Sequence, residues 1–198
     1  MKKIILVVVV LGIAQPGWAW GFSGGFNLGL VTMDFLNGQL QDLADREGAS
    51  LSPLRVRYGL EGAFWPWRWL GFGLEWLSSS GGVYGREAYP LSASGLGLSL
   101  LLGWDLEIVG LAFPMQGGIG VYWFSVIGFL EGWSLGFGGE VSVGLTLLRF
   151  AGFEAVVEVG GRIVRGSVLQ TPRGVLAPRE KPALDFSGLF LGLKVGWK

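Results

Sequence analysis

The segment from Ile108 to Leu130 constrains the fold most, because it is long and uncharged but lacks the pattern of a helix. Its length of 23 residues is enough to cross a bilayer as a helix. However, large apolar residues such as Leu111 and Ile119 occupy one parity, and mostly glycine, alanine, proline and glutamine occupy the other. A period of two is typical of a strand, and central glycines and a proline disfavour a helix. The sequence therefore predicts a β-strand here.

The same alternation recurs in eight segments of the chain. They are residues 21–33, 54–65, 69–79, 91–103, 108–130, 134–148, 152–165 and 184–197. The connectors alternate between short ones (65–68, 105–107, 149–151) and long ones (34–53, 80–90, 125–133, 166–183). Short turns at one end and long loops at the other are expected of outer-membrane barrels. The sequence predicts an all-β, eight-stranded antiparallel up-and-down transmembrane β-barrel.

The parity that faces outward follows from the sizes of the side chains. In a soluble, lipocalin-like barrel the Leu/Val/Phe parity would point inward, and it would overfill so narrow a lumen. The opposite parity, rich in Gly, Ser and Ala, fits inside. An apolar exterior aggregates in water but is stable in lipid. We therefore predict that Leu98, Val143 and Leu191 face lipid and that Gly97, Glu140 and Lys194 face the lumen.

Residues 1–19 have the pattern of a secretory signal peptide. Lys2 and Lys3 precede an apolar run at 4–13, and Gly17-Trp18-Ala19 is a small-x-small cleavage site. The alternative, a retained membrane helix, is disfavoured because about ten apolar residues are too few to span a bilayer. The prediction is Sec-type export to the bacterial outer membrane, leaving a barrel domain of residues 20–198.

Aromatic residues cluster at the strand ends. A membrane-interface girdle is predicted on the short-turn side; it comprises Trp20, Trp65, Trp67, Trp69, Trp104, Phe150, Phe153 and Trp197. The predicted girdle on the opposite side comprises Met33, Trp76, Trp123, Phe124, Trp133 and Phe186.

The chain ends in the alternating pattern GLFLGLKVGW, followed by Lys198. With this ending, its strand count and its loop asymmetry, residues 20–198 resemble the small eight-stranded outer-membrane barrels of the OmpA-transmembrane and opacity-protein type. Those proteins usually finish on the aromatic residue itself, whereas here one lysine follows Trp197. The resemblance implies the barrel fold, and that fold hosts structural, adhesive and enzymatic members.

The composition excludes most catalytic chemistry. The chain has no histidine and no cysteine, and the enzymes among barrels of this size depend on histidine. Two G-x-S-x-G strings, at 21–25 and 132–136, lack the strand-to-helix turn and the histidine base of a nucleophile elbow. We predict no enzyme activity, no cofactor and no metal site. A formal net charge of zero gives no basic surface for nucleic acid.

By parity, nine charged residues enter the lumen. They are Arg55, Arg57, Glu61, Glu75, Glu140, Glu154, Glu158, Arg162 and Lys194. Charges in a narrow barrel must pair or be hydrated. The two interpretations are a structural plug of salt bridges and a narrow ion or proton path. Pairing about Trp67 places Glu75 opposite Gly59, and Glu154 is expected at the height of Lys194.

Two of the long loops carry further signals. In the first, Asp34 is a candidate cap and Gly48 a candidate C-terminal stop of a short helix with one apolar face. That face consists of Leu36, Leu40 and Leu43; the carboxylates Asp34, Asp42, Asp45 and Glu47 belong to the polar surface. The helix is expected at the membrane surface or over the barrel mouth. The fourth loop, 166–181, is predicted to be exposed and mobile.

Together these features predict a non-enzymatic barrel with a structural or surface-interaction role. Its expected partners are outer-membrane lipid and an envelope or extracellular protein that contacts the long loops. The alternative is a narrow channel or carrier for ions or a small apolar ligand.

Overall fold

The computed structural model describes residues 21–176, 178 and 182–197. Within these residues it contains one helix and twelve strands. They are β1 (Gly21–Leu30), α1 (Asp34–Glu47), β2 (Ser50–Ser52), β3 (Val56–Trp67), β4 (Leu70–Tyr84), β5 (Ala88–Ile108), β6 (Leu111–Gly128), β7 (Gly132–Phe150), β8 (Phe153–Gly166), β9 (Leu169–Thr171), β10 (Gly174–Leu176), β11 (Leu184–Asp185) and β12 (Gly188–Trp197). The predicted signal peptide, 1–19, and Trp20 lie outside the described residues. No helix among the described residues is long and apolar enough to cross a membrane.

Eight of the described strands form a closed antiparallel barrel. Strands β3 to β8 pair in sequence, each with the next. Strand β1 pairs with β3 on one side and with β12 on the other, and β12 pairs with β8 to close the ring. The predicted fold is confirmed, and the segment 108–130 forms strand β6 rather than a helix.

The exterior of the barrel is apolar. Leu98, Leu191 and Val143 are all exposed, with Leu98 at 67%. Their neighbours of opposite parity point inward: Gly97 lies under the ring of Tyr122, and Glu140 contacts Arg162. The structure thus has the orientation predicted from side-chain size, with a lipid-type surface outside.

Tight turns at 68–69, 109–110 and 151–152 define one end of the barrel, the short-turn end. At the last two turns a non-glycine residue has positive φ, 52° at Val109 and 47° at Ala151, and a glycine with positive φ follows. Two successive positive φ values are the requirement of a type I′ hairpin turn. The predicted turn at 105–107 was wrong, because the alternating residues continue the strand to Ile108.

The opposite end, the loop end, is more regular than predicted. The expected loops at 80–90 and 125–133 are mostly strand, since β4 runs to Tyr84, β5 begins at Ala88 and β6 runs to Gly128. Small residues at both parities, as in 78–82, had hidden the alternation. The fourth loop contains the hairpin β9–β10, and Leu169 in it is fully buried, so 169–176 is not a free loop. Positions 177 and 179–181 lie outside the described residues.

The predicted helix in the first loop is confirmed as α1. It ends at Gly48 in the left-handed conformation, as expected of a C-terminal glycine. The N-cap is Met33 without a side-chain cap, so the prediction for Asp34 was wrong; Asp34 lies in the first turn, where a carboxylate favours the helix dipole. The buried face is Leu36, Leu40 and Ala44, spaced by four.

Candidate functional site

The lumen contains two layers of different chemistry. The layer at the loop end is an apolar cluster made of inward side chains of the barrel together with side chains from α1 and the fourth loop. Among its buried members, Phe124 stacks between Tyr122 and Phe186, with ring centroids 6.0 and 5.3 Å apart. This layer fills the loop end of the barrel with apolar side chains.

Helix α1 covers this apolar layer. Leu36 and Leu40 are fully buried in the same cluster as the lumen-facing Phe124. Asn37 fixes the helix to the segment before β3: its Nδ2 donates to the carbonyl of Leu54 at 3.1 Å, and its Oδ1 accepts from the Leu54 amide at 2.8 Å. Of the two predicted positions, the helix therefore occupies the barrel mouth.

The apolar layer corrects the predicted girdle at the loop end. Met33, Phe124 and Phe186 are buried in the lumen rather than placed at the membrane interface. Trp123 and Trp133 are exposed outside and stack with their rings 5.2 Å apart, and Trp76 is also exposed. Large residues occur at both parities here, so aromatic type alone did not indicate the direction of the side chain.

The second layer is centred on Arg162 of β8. Arg162 lies directly across from Glu140 of β7, and its Nε donates to Glu140 Oε2 at 3.0 Å. A second ion pair joins Arg162 to Glu75, which also accepts from the Tyr122 hydroxyl at 3.2 Å. The guanidinium lies over the Phe190 ring, 5.2 Å from its centroid. One buried cation thus holds two carboxylates from opposite parts of the barrel wall.

Lys194 of β12 forms the second centre of the charged layer. Its Nζ lies 2.7 Å from Glu61 Oε1 and 2.8 Å from Glu158 Oε2. It also donates to Gln116 Oε1 at 3.2 Å, while Gln116 Nε2 donates to Glu140 Oε1 at 3.0 Å. Gln116 therefore connects the Lys194 centre to the Arg162 centre.

Arg57 of β3 is fully buried next to this network. Its Nη1 donates to the Phe186 carbonyl at 3.0 Å, and its guanidinium carbon lies 5.5 Å from the Phe190 ring centroid. Its Nε and Nη2 have no hydrogen-bond partner among the described residues. Arg57 joins the charged layer to the segment that carries Phe186 in the apolar layer.

The structure brings most of the predicted charges together. Inside the barrel lie Arg57, Glu61, Glu75, Glu140, Glu154, Glu158, Arg162 and Lys194. Arg55 is exposed because it precedes β3 at the loop end, so its assignment to the lumen was wrong.

One predicted pairing was wrong. Glu75 lies opposite Glu61, not Gly59, because the turn is at 68–69 rather than at Trp67. Glu154 lies on the strand next to Lys194, two ladder positions from it, as expected, and it forms an ion pair with Arg149 at 3.4 Å. Sequence reasoning also missed the uncharged connectors Gln116 and Tyr122; their inward parity was the available signal.

A cavity of about 70 Å³ lies at the short-turn end, beneath the charged layer. Trp65 lines it and donates from Nε1 to Ser23 Oγ at 3.1 Å, so Trp65 points inward and its place in the girdle was wrong. The exposed girdle residues at this end are Trp104, Phe150, Phe153 and Trp197. Trp67 and Trp69 are half-buried and stack 6.4 Å apart.

A closed barrel with an apolar exterior and aromatic residues at its ends is built for lipid rather than water. The protein is a membrane-spanning β-barrel. The resemblance to the small eight-stranded barrels of the outer membrane is thus confirmed for the architecture. Among the described residues, no group of three or more acidic side chains is arranged to hold a metal ion.

No protein-family model matches the sequence, and no curated protein matches it. Solved structures similar in shape include the N-terminal β-barrel domain of Pseudomonas aeruginosa OprF, with 13% identity, a TM-score of 0.42 and coverage of 92% of this chain and 98% of that one. Neisserial surface protein A has 12% identity, a TM-score of 0.49 and coverage of 91% and 99%. The outer membrane protein OprG from Pseudomonas aeruginosa has 15% identity, a TM-score of 0.45 and coverage of 90% and 94%.

Proposed function

We propose that this protein is a non-enzymatic outer-membrane barrel with a closed lumen, which serves a structural and surface-interaction role. The proposal rests on the two layers of side chains that fill the lumen. Helix α1 and the apolar layer occupy the loop end, and the network around Arg162 and Lys194 crosses the barrel below it.

The filled lumen favours this role over the alternative of a narrow channel or carrier. A conducting pore needs hydrated groups along its length and sites that ions can leave. Here the side chains of Arg162, Glu75 and Glu158 are at most 7% exposed, and each takes part in an ion pair. Above them, the stacked rings of Phe124 and Phe186 offer no ligand to an ion.

The loop end supplies the surface for interaction. The exposed residues of α1 are mostly polar and have a net negative charge; the charged ones are Asp34, Asp42, Asp45, Arg46 and Glu47. Since α1 is fixed by Asn37 and by its buried leucines, this surface is held rigidly above the barrel. A partner at the cell surface would therefore meet a preformed face. The proposed partner is an envelope or extracellular protein.

Conductance in planar bilayers tests the proposal. The purified full chain should insert without producing unitary current steps, because both layers must rearrange before an ion can pass. Stable steps from the wild-type protein that disappear in Glu75→Gln or Glu140→Gln would contradict it and support the channel. A matched control is Glu87→Gln, which removes an exposed carboxylate outside the barrel lumen.

A further inference from the structure

The outer surface of the barrel has a groove across β7, β8 and β12. Its floor is the backbone at Gly139 and Gly161, and its walls are the exposed side chains of Phe137, Ile163 and Leu189. Its volume is about 960 Å³. The groove is open on its outer side rather than enclosed. A Cβ added at Gly161 would meet only Leu189, at 3.8 Å, so the space above this glycine is open.

A cation lies at the loop-end margin of this groove. Arg165 pairs in the ladder with Phe137, two positions from Ile163, and its side chain is 56% exposed. Its Nε lies 3.2 Å from Asp185 Oδ2, while the other oxygen of Asp185 accepts the Ser187 amide at 2.9 Å. Among the described residues, Arg165 therefore has one carboxylate partner, Asp185, and still presents part of its guanidinium outward.

The geometry points to a binding site for one anionic lipid, with an acyl chain in the groove and a phosphate head group at Arg165. The groove opens from the lipid-facing surface, so an acyl chain reaches it directly from the bilayer. Basic side chains near the membrane surface attract anionic head groups. A guanidinium also matches the oxygens of a phosphate with two parallel hydrogen bonds. The apolar walls and the terminal cation thus match the two parts of one phosphorylated lipid.

Lipid binding to the purified full chain in a neutral detergent tests this site. Binding is counted by native mass spectrometry with dioleoyl phosphatidic acid and with dioleoyl phosphatidylcholine, which share acyl chains but differ in net charge. We expect the wild-type protein to bind phosphatidic acid about fivefold more tightly than phosphatidylcholine. This is the effect of one basic residue near the membrane surface on an anionic head group. Asp185→Asn should increase this preference because it frees Arg165. The double variant Arg165→Gln/Asp185→Asn should abolish it without changing the local net charge.

The groove is tested separately by Gly161→Leu, which should weaken binding of both lipids. The matched control is Gly62→Leu, another outward glycine with open space, where an added Cβ has its nearest contact at 4.0 Å. Arg149→Gln, at an exposed ion pair of the short-turn end, is the control for the cation. A preference that persists in the double variant, or binding unchanged by Gly161→Leu, would overturn the assignment. A far-UV circular dichroism spectrum confirms that each variant is folded.

Discussion

Arg162 faces Glu140 directly across the β7–β8 pair, with Nε 3.0 Å from Oε2, and both side chains are enclosed by the barrel wall. Each of these charges compensates part of the desolvation cost of the other. Glu75, from β4, is the second carboxylate at the same guanidinium. The pair therefore connects strands that are distant in the sequence.

We expect Arg162→Ala to lower the free energy of unfolding by about 3–5 kcal/mol, because it leaves buried carboxylates without a cation. Adding Glu140→Ala should restore part of the loss, and Glu75 accounts for the part that remains. Reversible unfolding of the barrel in lipid vesicles measures both variants. Strictly additive losses would mean that the two side chains do not interact.

The matched control for this cycle is Arg149→Ala. Arg149 also pairs with a glutamate, Glu154, at 3.4 Å, but its side chain is 53% exposed. Exposed pairs contribute about 0–1 kcal/mol, so this variant should be nearly neutral. A loss as large as that of Arg162→Ala would show that burial is not the cause.

The turn at Val109 predicts a stabilising substitution. Val109 has φ of 52°, and a β-branched residue is strained in that conformation. Val109→Asn forms an Asn-Gly type I′ turn with Gly110 and should raise the free energy of unfolding by about 1 kcal/mol. Ala151→Asn makes the same change before Gly152, where alanine is less strained, and should give a smaller gain. If Ala151→Asn raised the free energy of unfolding as much as Val109→Asn, or more, Val109 would not be the more strained residue.

The cover of the lumen is tested by Leu40→Ala. Leu40 is fully buried on the lumen side of α1, so the truncation should lower the free energy of local unfolding by about 2–5 kcal/mol. Amide hydrogen exchange across 34–47 should accelerate, while exchange in β6 and β7 stays slow. The control is Gln39→Ala, whose side chain is exposed on the same helix. Unchanged exchange in Leu40→Ala would mean that α1 is not held by the apolar layer.

Much of the barrel could be predicted because one physical rule applies along every strand. Where an inward residue is small and its neighbours are large, as for Gly97 between Leu96 and Leu98, parity determines the direction of each side chain. The charged lumen residues follow from the same rule, since Glu140 and Lys194 share the parity of the glycines.

The rule fails where the residues at odd and at even positions are all large or all small. Phe124 and Tyr122 have the inward parity of Gly120, but their size suggested a different place, because the apolar layer that accommodates them forms only when distant segments meet. Arg55 has inward parity, but it precedes β3, so no strand pairing fixes the direction of its side chain. The partner of Glu75 depended on the turn lying at 68–69 rather than at Trp67, a position that the local sequence did not reveal.

The central claim is that the Leu/Val/Phe parity faces lipid and encloses a filled lumen. The most direct measurement is the accessibility of spin labels at single cysteines, introduced in reconstituted protein; the chain has no native cysteine. Labels at Leu98, Val143 and Leu191 should be reached by lipid-soluble oxygen and not by a polar nickel reagent. A label at Ser142, adjacent to Val143 but of opposite parity, should be shielded from oxygen. If the nickel reagent instead reaches the labels at positions 98 and 191, and oxygen reaches the label at position 142, the predicted orientation of the strands is wrong.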